Sequence, residues 1–243
     1  NPTGMNPRIS ERFESMKERI QKSKGAESVF IMFITVDQPP SFFESRGGPH
    51  MFYSPSKNGL GEIHRRDLVT LLKEFDNKSK KEIMSWLDVF CENNTYEVSI
   101  PALRDSSLAP EGQTGVMISC LLDYELFEKV EKAGWYDEFK GYLDNRIIET
   151  FSRTIYQDFD KNILDKYSST PLTINRVSGS SAGAITGWSF ETDIPVIDSL
   201  KDIPKSVLTP IPGIYQAGQW AYAPSGVPIA MLTGWYASQK IMK

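Results

Sequence analysis

Ile9, Phe13, Met16 and Ile20 recur at steps of four, three and four among Glu, Arg and Lys. That spacing puts them on one stripe of an amphipathic helix, which Gly25 should end. Residues 28–36, SVFIMFITV, form a dense β-branched and aromatic run closed by Asp37-Gln38-Pro39-Pro40. Two prolines cannot continue a ladder, so the run predicts a buried strand. A loop through Gly47-Gly48-Pro49 leads to a second predicted strand at 50–54, and residues 55–76 show no period and are expected to be irregular. Ser79 with Glu82 three residues on has the form of a capping box, and Ile83, Leu87 and Phe90 then mark a helix. Residues 96–100 and 115–122 read as strands suited to pairing, with polar turn material at 104–107 and 110–112 between them. Past Gly134, the positions Tyr136, Phe139, Leu143, Ile147, Phe151 and Ile155 step by three or four and predict a long helix.

After Pro171 the pattern changes. Ser, Gly, Ala and Thr crowd residues 178–187, and no charged residue occurs between 206 and 239, which implies close packing. Residues 214–218 read as a short strand ending in Gly218, and a last helix opens after Gly226 with Pro228 in its first turn, where no intrahelical amide is lost.

The chain of 243 residues allows one large domain or two small ones. Its net charge of −4, from 27 basic and 31 acidic residues, supplies no broad field for phosphate backbones and argues against nucleic acid as a partner. No run of about 18 apolar residues is present, so no spanning helix is expected. Two cysteines, Cys91 and Cys120, exclude a disulfide framework and a cysteine-rich zinc site, and point to a reducing, cytoplasmic compartment. The opening Asn1-Pro2-Thr3-Gly4 has neither an initiator Met nor a signal-like stretch, as expected of a piece of a longer protein, and the two Asn-x-Ser/Thr matches at Asn77 and Asn93 are read as chance.

Gly179-Ser180-Ser181-Ala182-Gly183 matches G-x-S-x-G, the turn that exposes the nucleophile of α/β-hydrolases. In that fold the histidine follows the serine, whereas His50 and His64 both precede it, so a hydrolase is disfavoured. Two histidines without thiolate or carboxylate at ligand spacing make no metal site, and His64-Arg65-Arg66-Asp67 reads as a solvated turn. No P-loop occurs, and Gly59-Leu60-Gly61 lacks the third glycine of a dinucleotide fingerprint. The region with most chemical content is 213–234, where a strand, a glycine turn and a helix start fall together. A helix N-terminus offers unpaired N–H groups to an anion or a polarised carbonyl; the plainer reading is a buried terminal helix.

Gly213-Ile214-Tyr215-Gln216-Ala217-Gly218-Gln219-Trp220, followed by Pro224-Ser225-Gly226-Val227-Pro228, resembles the closing flavin-contact motif of the phytoene desaturase-like branch of the amine oxidase and FAD-dependent oxidoreductase superfamily. Residues 98–112, VSIPALRDSSLAPEG, are similar to a second segment of that family. Thr170-Pro171-Leu172-Thr173, Arg176 and Gly183-Ala184-Ile185-x-Gly187-Trp188 are similar to a third, and the three stand in the family's order. The resemblance implies an α+β chain. Residues 1–190 would be a substrate-binding domain, an antiparallel or mixed sheet with helices on one side, and 191–243 would complete an FAD-binding domain whose N-terminal G-x-G-x-x-G part is absent.

It further implies FAD as cofactor, contacted by Gly218, Gln219, Gly226, Val227 and Pro228, with no metal and with catalytic residues left unassigned. The substrate class would be an apolar carotenoid, retinoid or lipid undergoing desaturation, saturation or isomerisation. Gln219 departs from the Asp common in the family, which would accept hydrogen bonds from ribityl hydroxyls. Phe30, Phe33, Phe151 and Trp188 are read first as core rather than as lining of a substrate tunnel. The chain by itself is expected to hold little or no FAD and to be inactive. Peripheral membrane contact is compatible with such substrates, and the expected patch of Ile211, Ile214, Tyr215, Ile229, Leu232 and Trp235 implies self-association through the C-terminal segment. The alternative is a non-catalytic lipid- or protein-binding domain.

Overall fold

The structure is a computed structural model that describes residues 6–59 and 61–242, and of 62–65 the backbone alone. From the N-terminus, α1 (Pro7–Lys22) is followed by β1 (Ser28–Val36), the short α2 (Pro40–Glu44), β2 (His50–Tyr53), α3 (Gly61–Lys73) and α4 (Lys80–Asn93). Then come β3 (Tyr96–Ser99), β4 (Thr114–Leu122), α5 (Tyr124–Lys132), α6 (Tyr136–Thr154), β5 (Ile163–Ser169), α7 (Pro171–Ser178), α8 (Ile203–Ser206) and α9 (Val227–Ile241). The chain is α+β, and it divides into a central unit, residues 29–174, and a terminal unit, residues 6–28 with 175–242.

The central unit is built on a five-stranded sheet in the order β2-β3-β4-β1-β5, with β1–β5, β2–β3 and β3–β4 antiparallel. Alternation decides its two faces. Phe30, Met32, Ile34 and Val36 of β1 are buried, as are Val116, Ile118, Cys120 and Leu122 of β4. They pack into one core with Ile83, Leu87 and Phe90 of α4, Phe127 and Val130 of α5, and Phe139, Leu143 and Phe151 of α6. The opposite parity, with Phe33, Thr35, Met117, Ser119 and Tyr167, is left uncovered by that core. The capping box forms as the sequence predicts: Glu82 Oε2 accepts from Ser79 N at 2.8 Å, and Ser79 Oγ accepts from Glu82 N at 3.3 Å. On α6, Arg146 Nε is 2.7 Å from Asp88 Oδ1 of α4, which also accepts from Tyr142 Oη at 2.8 Å, tying the two core helices together.

Of this unit's elements, α2, α3, α5 and β5 escaped the pattern. Residues 61–73, within the stretch expected to be irregular, form α3. Among its described side chains the apolar ones gather in the last turns, where Leu71 is buried and Leu68 and Leu72 pack against the core, a stripe too short to stand out in a mostly polar stretch. The expected turn at His64–Asp67 is therefore helical backbone, while the side chains of His64 and Arg65 lie outside the described residues. Strand β5, Ile-Leu-Asp-Lys-Tyr-Ser-Ser, is an edge strand with four exposed residues in its middle, and edge strands tolerate polar sequence.

In the terminal unit the chain around 19–28 zips onto 183–194. Ala26 N donates to Gly187 O at 2.7 Å, Ser189 N to Lys24 O at 2.9 Å, Ser28 Oγ to Gly183 O at 2.7 Å and Ser23 Oγ to Asp193 O at 2.7 Å. Gly25, expected to end α1, instead forms a bridge with Trp188, and the helix stops at Lys22. The division thus falls at 28/29 and 174/175, and residue 190 lies inside the terminal unit. The strand expected at 214–218 is a single bridge, Leu208 to Tyr215. Pro210 and Pro212 cannot extend a ladder there, and Thr209 Oγ1 takes the Ile214 carbonyl at 2.8 Å. The last helix forms where predicted.

Of the patch expected at the C-terminus, Ile214 and Trp235 are exposed, whereas Ile211, Tyr215, Ile229 and Leu232 are half-buried. The exposed stripe runs instead along Val227, Met231, Trp235 and Met242, while the helix buries only Thr233 and Ala237. No helix among the described residues is long and apolar enough to cross a membrane.

Candidate functional site

The residues singled out in the sequence sort into two places, one in each unit. In the terminal unit, Gly187 packs against the Gln219 carbonyl so tightly that a Cβ would not fit, and Trp188 Nε1 donates to Trp220 O at 3.0 Å with the two indoles edge to face. With its amide turned to satisfy both ends, Gln219 donates to Ile185 O at 3.2 Å and accepts from Trp220 Nε1 at 3.2 Å. The Gln219 amide is thus engaged within the 180–188 loop. The segments 183–188 and 213–220, separate in sequence, therefore lock into one loop assembly. Trp188, read as core, is half-buried here.

That assembly leads to the start of α9. Gly218 has φ +96°, donates its N–H to the buried Thr233 Oγ1 at 3.0 Å, and has nothing within 4 Å of where a Cβ would stand. Gly226 precedes the helix in extended conformation, and its carbonyl accepts from Ala230 N at 2.9 Å. No side chain caps this terminus, Pro228 brings no N–H, and Val227 and Pro228 are exposed. A Cβ on Gly226 would touch only Pro228 Cδ, at 4.0 Å. Beside it, Ser225 Oγ is buried without a hydrogen-bond partner among the described residues, a costly state for a hydroxyl. An uncapped helix start, two unobstructed glycines and an orphaned hydroxyl fit a group that carries negative or polarised oxygen and nitrogen atoms, such as the pyrimidine edge of a flavin. Nothing in the sequence pointed to Ser225, because an orphaned hydroxyl shows itself only in the packing.

The other place is the uncovered sheet face of the central unit. Phe33 of β1 and Tyr167 of β5, paired in register, stack at 4.7 Å with ring planes 13° apart. With Thr35, Leu108, Met117 and Asp165 they line a cup of about 270 Å³. Gly115 keeps it open, since no atom lies within 4 Å of its absent Cβ. Pro101, Ala102 and Leu108, from the second segment of the resemblance, form part of the wall. Leu108 and Tyr167 are exposed apolar side chains. Phe33, read as core, lies on this face, whereas Phe30 and Phe151 are fully buried. The signal for that was present: Phe33 has the opposite strand parity to Phe30, Met32 and Ile34.

The remaining motif residues have structural roles. Thr170 Oγ1 accepts from Thr173 N at 3.4 Å and shares a hydrogen bond with Tyr136 Oη at 2.9 Å, so Thr-Pro-x-Thr starts α7 as a cap. In the G-x-S-x-G match Ser180 Oγ donates to Ala184 O at 2.7 Å, Ser181 lies on an exposed turn, and His50 belongs to the other unit. Among the described residues no group of three or more His, Cys, Asp or Glu could hold a metal ion. No protein-family model matches the chain, and no curated protein matches it.

Proposed function

We propose that the chain is the C-terminal part of an FAD-dependent oxidoreductase acting on a long apolar molecule. The observation that carries this reading is the interlock of 183–188 with 213–220, which ends at the uncapped start of α9 beside the orphaned Ser225 hydroxyl. The segment that resembles the flavin-contact motif is thereby supported, through Gly187 and Trp188, by a second segment of the resemblance, and one polar surface is left open.

A bound flavin supplies hydride transfer, and the protein places it and tunes its electronics. Gly218 and Gly226 present backbone without a side chain in the way, Val227 presents its N–H at the positive end of the helix, and Ser225 has a hydroxyl hydrogen to give. Pro228 stiffens the first turn. Donors held in this way favour negative charge on a ring edge, which reduction of a flavin creates. On the central unit, the cup offers an apolar chain the side chains of Phe33, Leu108 and Met117, with the polar groups of Thr35, Asp165 and Tyr167 beside them.

Lumiflavin, the ring system without the ADP half, is the probe. Its addition should shift the amide resonances of Gly218, Gly226 and Val227, and Gly226→Val should abolish those shifts while leaving the melting temperature unchanged, because the glycine's surroundings are open in the chain alone. Unperturbed amides at saturating lumiflavin would overturn the assignment.

A further inference from the structure

On the same uncovered sheet face, away from the cup, a polar row crosses three strands. His50 Nε2 donates to Glu97 Oε1 at 2.7 Å, and Ser119 Oγ reaches Glu97 Oε2 at 3.4 Å, a long bond that leaves this oxygen with capacity to accept. His50 Nδ1 has no partner among the described residues. The His50 ring stands edge-on to Phe52, 5.7 Å between centroids. The ladder places this row relative to the cup: His50 pairs with Ser99, and Ser99 with Met117, which lines the cup. Partners across a ladder share a face, so His50 lies two strand spacings, about 10 Å, from Met117 on the same surface.

Resting on the reading of this face as the substrate surface, we infer that its ligand is an amphiphile whose head group donates a hydrogen bond, a hydroxyl or an amine, to Glu97, with its apolar chain running across the sheet into the cup at Phe33 and Tyr167. The chemistry of the row selects the head. Glu97 is held as an acceptor by the His50 hydrogen bond, so an ether or carbonyl finds no donor in it, and a carboxylate meets like charge. Along the surface, β2 and β3 bring His50, Glu97 and Ser99 beside the exposed Phe52, while β1 and β5 bring the stacked Phe33 and Tyr167 beside Thr35 and Asp165.

The test is titration of the chain with 1-decanol, decylamine, decyl methyl ether and decanoate, followed through the amide resonances of Phe33, Met117 and Glu97. Decanol or decylamine should bind about tenfold more tightly than the ether, and decanoate most weakly. Glu97→Leu, which removes the acceptor without adding a donor, should remove that preference and leave the affinity for the ether unchanged. Equal affinity for decanol, decylamine, ether and decanoate, with Phe33 and Met117 perturbed, would overturn the head-group inference and leave the apolar surface standing. No perturbation by any of the four would overturn the surface itself, and the inference with it.

Discussion

Gly187 and Gln219 approach so closely that the space for a Cβ on the glycine is filled by the Gln219 carbonyl, and Gly187 holds φ at +83°. A side chain there meets a strained backbone and a steric clash together, each worth about 1–3 kcal/mol. Gly187→Ala is therefore expected to destabilise the terminal unit by about 2–5 kcal/mol, read as a lower urea midpoint. A midpoint equal to wild type would mean that 183–188 and 213–220 are not locked together.

The cup on the sheet depends on Gly115, where a longer side chain has room and would occupy it. Gly115→Ile puts a β-branched residue into a strand interior, so stability should rise by up to about 1 kcal/mol. Binding of decanol should be lost in the same variant. Retained binding with perturbed Phe33 would place the apolar chain elsewhere.

Both cysteines are buried, which pushes the Cys91 thiol up to about 12 and the Cys120 thiol well above its ordinary value. Near pH 8 neither should react with a thiol reagent in the folded chain, and both should react once it unfolds. Burial also raises Tyr156 to about 12. These groups keep their protons in the folded state at pH values where the unfolded chain releases them. Stability is thus whole below about pH 9 and falls as the pH rises from there toward 12. Urea midpoints measured at several alkaline pH values check the sign, and a midpoint that rises over that range would contradict it.

Val227, Met231, Trp235 and Met242 line one exposed side of α9, a helix whose only charged residue is Lys240. An apolar stripe of this kind attracts dyes and other chains. The double variant Met231→Glu with Trp235→Lys should lower binding of anilinonaphthalene sulfonate and the sedimentation-detected self-association, with the melting temperature kept within about 2 °C. Unchanged dye binding would locate the exposed apolar surface elsewhere.

Local pattern determined many of the elements: α1, α4 with its capping box and α6 follow from helical spacing, β1 from its β-branched and aromatic run, β3 and β4 from runs suited to pairing, and α9 from the Gly226 and Pro228 at its start. The α+β character was legible for the same reason. What had only a short apolar stripe, as α3 with Leu68, Leu71 and Leu72, or none, as the polar edge strand β5, was hidden, because its formation depends on a neighbour supplying the other half of the contact. Tertiary structure alone decided that 19–28 zips onto 183–194, that the Gln219 amide meets Ile185 of the 180–188 loop, and that His50, Glu97 and Ser119 form one row. Each of these is a meeting of residues far apart in the chain, and such meetings are set by register and packing, which leave no mark on the local sequence.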